Sequence, residues 1–133
     1  MSKKVFGVVG EGKRIDYGFD LEHRSYCDVD RLYGGLEEYP APRDIFSASV
    51  GLCVVAVLSI YIESKLKSSA QGLRFESNYQ KGDDGRVIEI ELKICIPKHF
   101  EDKKEELIKI AESCPIKKTV SPFIDVKTFY YFE

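Results

Sequence analysis

Four cysteines are the residues of this chain best suited to covalent chemistry: Cys27, Cys53, Cys95 and Cys114. Cys53 lies in the middle of residues 45–62, a segment without a charged residue in a chain that is 32% charged. Such a segment must be deeply buried, in protein or in lipid. A thiol at its centre is therefore either inert packing or a reactive centre, and the cysteine alone leaves both interpretations open.

Cys114 stands directly before Pro115. A residue before proline is pushed away from helical geometry, so we expect Cys114 at a helix boundary, where its side chain can point across to another element. Two distant cysteines can form a disulfide only if their Cα atoms approach within roughly 7 Å. Cys27 and Cys95 are expected to be incidental, although Cys95 lies on the polar face of its predicted strand, where oxidants could reach it.

Charge and cysteine spacing argue against several classes of function. The net charge is −2 and no run of lysine and arginine occurs, so electrostatics give no reason to expect binding to nucleic acid or to an anionic membrane. No CxxC motif occurs, and His23 and His99 are not spaced as a zinc site, so we predict neither a metal nor a cofactor. The first residues lack the apolar core of a secretory signal, which predicts a cytoplasmic protein. In that compartment separate cysteines are normally free thiols, and a paired couple would be redox-active.

The uncharged segment could in principle cross a membrane. Its 18 residues would span roughly 27 Å as a helix, just short of the hydrocarbon core of a bilayer. Ser47, Ser49 and Ser59 dilute its hydrophobicity, however, and the surrounding sequence has the alternation of soluble β-structure. The sequence therefore favours a buried central helix over a membrane span.

Periodicity predicts the elements that must position these cysteines. Residues 86–96 are the clearest strand, because isoleucine and leucine alternate there with other, mostly charged, residues. Pro42 suits the first turn of a helix and Asp44 complements its dipole, so we expect a long helix from there to about residue 68. The other predicted elements, in a single domain of residues 1–133, are strands at 4–9, 14–20, 25–29, 73–80 and 123–132, and helices at 99–113 and 116–120.

The long helix is apolar on every face in its central part, so it must be surrounded rather than laid on a surface. One domain of this size has few elements with which to cover it on all sides. A symmetric dimer that contributes the missing wall is therefore expected.

Three local patterns coincide along the chain. The first is Gly34-Gly35 followed, at residues 41–53, by Ala-Pro-Arg-Asp-Ile-Phe-Ser-Ala-Ser-Val-Gly-Leu-Cys. The second is an isoleucine-rich strand that follows the Gly-Asp hairpin at 81–85. The third is Ala-Glu-Ser-Cys-Pro-Ile at residues 111–116. Together these patterns resemble the OsmC/Ohr family of hydroperoxide-reducing proteins, and the likeness extends over the whole chain in element order. The resemblance implies an α+β fold with antiparallel sheets wrapped around a long buried central helix, in an intertwined, domain-swapped homodimer.

The resemblance also implies roles for individual residues. Cys53 matches the peroxidatic thiol and Cys114 the resolving thiol, and Arg14 is the best match to the family's activating arginine. In the family a glutamate ten residues before the first cysteine holds that arginine, but this chain has Arg43 there, with Asp44 beside it. Either Asp44 takes over as the partner, or Arg43 itself activates Cys53, or activation is lost.

The predicted function is a thiol-dependent peroxidase that reduces organic hydroperoxides through a Cys53 sulfenate and a Cys53–Cys114 disulfide. Its reductant would be a dithiol, which in some relatives is a lipoylated protein. One alternative is a non-catalytic binder of a small apolar ligand, which the substitution at Arg43 would suit. Another is a hotdog-type thioesterase, although residues 45–62 contain no aspartate or glutamate that could serve as its base.

Overall fold

The protein is described by a computed structural model that covers residues 4–20, 22 and 24–133. His23, which was not expected to bind zinc, lies outside these residues. The chain divides into two compact units, Met1–Ile45 and Phe46–Glu133. The single domain expected from the sequence stays a prediction, and each unit is described by itself.

The first unit contains a three-stranded antiparallel sheet. Its strands are β1 (Phe6–Val9), β2 (Ile15–Gly18) and β3 (Arg24–Cys27), paired in the order β1-β2-β3. The predicted hairpin between the first two strands is present, and Gly12 in its turn has a φ of 66°, which glycine adopts without strain. The three strands are shorter than predicted, with four residues each.

The loop after β3 is held by a buried carboxylate. Asp28 accepts hydrogen bonds from the backbone N–H groups of Val29 at 2.8 Å and Glu38 at 3.2 Å. These bonds hold the pKa of the Asp28 carboxyl below its usual value. The Gly34-Gly35 pair lies in a turn in this loop, where Gly34 has a φ of 92° and its N–H donates to the carbonyl of Arg31 at 3.0 Å. Only glycine fits at position 35, since a Cβ there would lie 1.8 Å from the carbonyl oxygen of Val29.

The long helix α1 runs over Pro42–Ser64. Its start is as predicted, and Asp44 accepts a hydrogen bond from the N–H of Ala41 at 2.8 Å. Its end comes four residues earlier than predicted. Lys67 takes a left-handed conformation with a φ of 51°, and the N–H of Ser68 turns back to the carbonyl of Ile62 at 3.2 Å, which closes the last turn.

One face of α1 is buried within the chain, and the opposite face is not. The buried residues recur every three or four positions, whereas Leu52 and Ile60 are 56% and 66% exposed and Ala56 between them is also exposed. We call Leu52, Ala56 and Ile60 the exposed stripe of α1. Burial on all sides, which the sequence predicted, is therefore not reached within one chain. The buried residues are Ser47, Val50, Gly51, Val54, Leu58 and Ile62.

By length and composition alone, α1 also satisfies the requirements of a membrane-spanning helix. Among the described residues it is the one helix to do so, and 33% of its apolar window is buried in the chain. Core helices of soluble proteins meet the same requirements, so this observation does not by itself favour a membrane span.

The second unit contains a mixed three-stranded sheet. Its strands are β4 (Arg74–Lys81), β5 (Val87–Ile96) and β6 (Asp125–Phe132). β4 and β5 pair antiparallel, but β5 and β6 pair in parallel, which corrects the expectation of wholly antiparallel sheets. Parallel pairing needs a long crossover, and residues 97–124 provide one.

Helices fill this crossover. The helix predicted at 99–113 begins as a 3₁₀ helix over Lys98–Lys103 and continues as α2 (Lys104–Glu112). The short helix predicted at 116–120 is present as α3 (Pro115–Val120). Cys114 lies between α2 and α3, at the helix boundary that the following proline predicted.

The core of the second unit joins α1, β5 and α2. The inward positions of β5 are fully or almost fully buried, and they pack with the buried face of α1. A Cβ on Gly51 would lie 2.3 Å from the ring of Phe75 on β4, so α1 and β4 are in close contact at this glycine. The inward residues of the crossover and of β5 are Ile90, Leu92, Ile94, Ile96, Phe100, Leu107 and Ala111.

Candidate functional site

The structure brings Cys53 and Cys114 together. Cys53 lies near the middle of α1, Cys114 caps α3, and the two thiols are close enough for Cys53 to affect the pKa of Cys114. Both belong to the second unit, where Cys53 packs against the core that includes Cys114. Cys53 is half-buried, whereas Cys114 is completely buried. An incoming molecule therefore meets Cys53 first.

The surroundings of Cys114 keep its thiol protonated. Burial raises the pKa of the Cys114 thiol, and the neighbouring Cys53 thiol raises that pKa further. The backbone N–H of Lys117 donates to Cys114 Sγ at 3.5 Å, and this bond offsets part of the increase. The Cys114 thiol is thus a neutral partner of Cys53 at physiological pH.

A charged cluster adjoins Cys114. The ammonium of Lys117 donates to Glu112 Oε2 at 2.5 Å, and the hydroxyl of Tyr130 donates to Glu112 Oε1 at 2.7 Å. Burial alone would raise the pKa of Glu112, but these two hydrogen bonds hold it below its usual value. Burial, and then the bond to Glu112, raise the pKa of the Tyr130 hydroxyl.

Sequence reasoning did not find this cluster. Glu112 and Lys117 flank the Cys-Pro pair at close spacing, which was a usable signal. Tyr130 gave none, because its place beside Glu112 depends on the parallel pairing of β6 with β5.

Arg14 belongs to the first unit, where Asp16 holds it. Its Nε donates to Asp16 Oδ1 at 2.9 Å, and its guanidinium lies 5.0 Å from the centre of the Tyr26 ring. The bond to Asp16 raises the pKa of Arg14, so the guanidinium stays charged. Arg24 donates to the same aspartate at 3.4 Å. Arg14 also lines an open cleft of about 550 Å³, together with Lys13.

Asp16 is a second residue that sequence reasoning missed. A signal was present, because Arg14 and Asp16 are two positions apart in the predicted strand 14–20 and would therefore share a face. Arg43 and Asp44 lie in the first turn of α1, in the first unit. Their predicted parts in activating Cys53 remain predictions.

A sequence model of the OsmC-like protein family matches residues 35–129. The chain belongs to the OsmC-like family, which confirms the predicted family. No curated protein is similar to the chain in sequence at a significant level.

Solved structures of this family share the fold of the chain. A Psychrobacter arcticus 273-4 protein provisionally assigned to the osmotic stress and detoxification response superimposes with a TM-score of 0.85 at 19% identity, covering 98% of this chain and 96% of that one. The organic hydroperoxide resistance protein OsmC of Legionella pneumophila superimposes with a TM-score of 0.69 at 18% identity, covering 98% of this chain and 97% of that one. The organic hydroperoxide resistance protein OhrB of Bacillus subtilis superimposes with a TM-score of 0.65 at 18% identity, covering 98% of each chain. The predicted α+β, OsmC-like fold class is confirmed, apart from the parallel pairing of β5 with β6, and the intertwined homodimer stays a prediction.

The other two cysteines of this OsmC-like chain lie elsewhere. Cys27 is buried in the first unit and its thiol donates to the carbonyl of Asp28 at 3.6 Å. Cys95 is half-buried on β5, opposite Arg74 and Tyr131 in the sheet register. All four cysteines are free thiols. Among the described residues, no cluster of three or more histidine, cysteine, aspartate or glutamate side chains could hold a metal ion.

Two neighbouring thiols of unequal exposure can carry out one reaction in particular. Oxidation of the accessible thiol places its sulfur next to a second thiol, which can condense with it to form a disulfide.

Proposed function

We propose that the chain is a thiol-dependent peroxidase that reduces organic hydroperoxides through Cys53 and Cys114. The observation that carries this proposal is the contact between the half-buried Cys53 thiol and the buried Cys114 thiol within an OsmC-like fold. Similarity to organic hydroperoxide resistance proteins supports the substrate class. An apolar environment around Cys53 also suits an organic hydroperoxide better than hydrogen peroxide.

The proposed reaction has two steps in the protein. The Cys53 thiolate attacks one peroxide oxygen, so that an S–O bond forms, the O–O bond breaks and the alcohol leaves with a proton. The Cys114 sulfur then attacks the Cys53 sulfenic acid, so that the S–S bond forms, the S–O bond breaks and the hydroxyl leaves as water with the thiol proton. A dithiol, which we propose to be lipoylated protein or a similar reductant of the cytoplasm, returns the disulfide to two thiols.

The reaction needs a positive charge close to Cys53, because an apolar environment disfavours the thiolate. We infer that Arg14 supplies this positive charge. Asp16 then holds the arginine in place of the family glutamate, whose position Arg43 occupies. Support comes from the two contacts that fix the Arg14 guanidinium, with Asp16 and with the ring of Tyr26.

A homodimer is part of the proposal. The exposed stripe of α1 is apolar, and β1 in the first unit exposes Phe6, Val8 and Val9 by more than 60% each. Apolar surfaces of this kind in a soluble protein mark interaction sites. The resemblance to the OsmC/Ohr family favours a second copy of the same chain as the partner that covers them.

The dimer predicts a mass in solution of twice the chain's 15.2 kDa. Ile60→Glu should reduce the mass to that of one chain, because it places a charge in the proposed interface. Size-exclusion chromatography with light scattering measures both masses, and circular dichroism identifies a variant that unfolds. A stable, folded wild-type monomer would contradict the dimer.

The function is tested by oxidising the fully reduced protein with one equivalent of cumene hydroperoxide and mapping the thiols by mass spectrometry. We expect a Cys53–Cys114 disulfide within seconds, with Cys27 and Cys95 still reduced. Slow or unselective oxidation of all four thiols would contradict the peroxidase and favour a non-catalytic binder of apolar ligands.

A further inference from the structure

A cluster of three side chains surrounds the segment that carries Cys114. We call Glu112, Lys117 and Tyr130 the Glu112 clamp. Its carboxylate receives one hydrogen bond from each partner, at 2.5 Å from Lys117 and 2.7 Å from Tyr130. The clamp thereby ties the end of α2 to α3 and to β6.

The clamp reaches the sulfur of Cys114 through the backbone of Lys117. The side chain of Lys117 is fixed by Glu112, and the N–H of the same residue donates to Cys114 Sγ at 3.5 Å. The Lys117 side chain is 11% exposed and that of Glu112 is 46% exposed, so solvent reaches their ion pair from the Glu112 side. Charge-assisted hydrogen bonds of this kind are stronger than neutral ones.

The clamp closes a short loop around the Cys-Pro pair. Pro115 begins α3 and limits the backbone on one side of Cys114, while the N–H of Cys114 donates to the carbonyl of Ala111 at 3.2 Å on the other side. The ion pair between Glu112 and Lys117 joins the two ends of this loop. Pro115, the hydrogen bond of the Cys114 N–H and the clamp together therefore limit the direction in which the Cys114 side chain points.

We propose that Glu112 is a positioning residue which, through Lys117 and Tyr130, holds the Cys114 sulfur in the orientation for attack on an oxidised Cys53 sulfur. Glu112 touches neither sulfur, so its action is on geometry and not on the reacting atoms. The proposal rests on the proposed function for the identity of the oxidant, but the orientation of the two sulfurs can be measured without a hydroperoxide.

Orientation matters here because disulfide geometry is narrow. The S–S bond, its dihedral angle and the distance between the Cα atoms all lie within tight limits. A thiol held in the attacking orientation reacts as if it were present at a very high concentration, and small displacements lose much of that advantage. Burial also raises the pKa of the Cys114 thiol, so little thiolate is available to compensate for a poor orientation.

The second unit offers a matched control for these bonds. Tyr61 on α1 donates its hydroxyl to Glu106 Oε1 on α2, which is the same chemistry as the bond from Tyr130 to Glu112. Tyr61 lies two helical turns beyond Cys53 on α1, and Glu106 is not in the clamp. Glu106→Gln therefore makes the same change, from carboxylate to amide, at a carboxylate that accepts from a tyrosine outside the clamp.

The experiment measures the effective concentration of the Cys114 thiol toward the mixed disulfide of Cys53 with glutathione, in buffers of known reduced and oxidised glutathione. We expect Glu112→Gln and Lys117→Met to lower this value about tenfold each, because each removes the ion pair. Lys117→Arg should restore most of it, since it retains the charge. Glu106→Gln should leave the effective concentration unchanged, even if this variant lowers the melting temperature as much as Glu112→Gln does.

A kinetic measurement gives a second readout. With cumene hydroperoxide, Glu112→Gln should form the Cys53 sulfenic acid at the wild-type rate and convert it to the disulfide about tenfold more slowly. Dimedone trapping measures the sulfenic acid that accumulates. A loss of stability alone would not separate these two steps.

The outcomes that overturn the proposal are distinct from failure of the proposed function. An effective concentration in Glu112→Gln equal to that of the wild type, or an equal loss in Glu106→Gln, would overturn the positioning role. A wild-type protein that equilibrates with glutathione but does not react with cumene hydroperoxide would contradict the peroxidase and leave the positioning role standing.

Discussion

Cys53→Ser is expected to lower the rate of hydroperoxide consumption on the order of 10³-fold or more, as loss of an essential nucleophile generally does. A serine hydroxyl is not ionised at neutral pH, whereas attack on the O–O bond needs a thiolate. The rate is measured with cumene hydroperoxide as substrate and a dithiol in excess as the regenerating reductant.

Replacing the other thiol should give a different result. Cys114→Ser is expected to react once, at a rate close to that of the wild type, and then to accumulate the Cys53 sulfenic acid that dimedone traps. For Cys53→Ser the matched control is Cys95→Ser, because Cys95 is half-buried like Cys53 but belongs to β5. Turnover at the wild-type rate in Cys53→Ser would show that the nucleophile is wrongly assigned.

Arg14→Met is expected to slow the oxidation of Cys53 about 100-fold, because a nearby positive charge favours the thiolate and its removal withdraws that support. Asp16→Asn should cause a smaller loss, since the guanidinium keeps its charge but loses the ion pair that fixes it. Stopped-flow measurement of sulfenic acid formation gives the rate of this step separately from disulfide formation.

Two further variants make the assignment of the arginine specific. Arg24→Met is the matched control, because Arg24 also binds Asp16 and belongs to the same sheet. An equal loss in Arg24→Met would show that Arg14 acts only through the stability of the sheet. Arg43→Glu should raise the rate if Arg43 fills the place of a lost glutamate, and lower it if Arg43 is itself the activator. An unchanged rate would discard both ideas about Arg43.

Several features of the protein follow from the sequence alone. Alternation of apolar and polar residues located β5 to within one residue of its observed start, and Pro42 marked the first residue of α1. The proline after Cys114 placed that cysteine at a helix boundary. The paired motifs around Cys53 and Cys114 also led to the correct family. These signals are local, because dihedral preferences, capping and periodicity act over only a few neighbouring residues.

Other features were decided only by the tertiary structure. Local patterns predict that residues 123–132 form a strand, but they do not say that this strand lies parallel to β5, since its direction depends on the course of the intervening helices. The same pairing brings Tyr130 to Glu112, and the packing of α1 against α2 and α3 brings Cys114 to Cys53. Periodicity likewise showed that α1 is apolar all round, but only the structure separated the face that its own chain buries from the exposed stripe. Contacts between residues far apart in sequence arise from how whole elements pack, and no short stretch of sequence encodes that packing by itself.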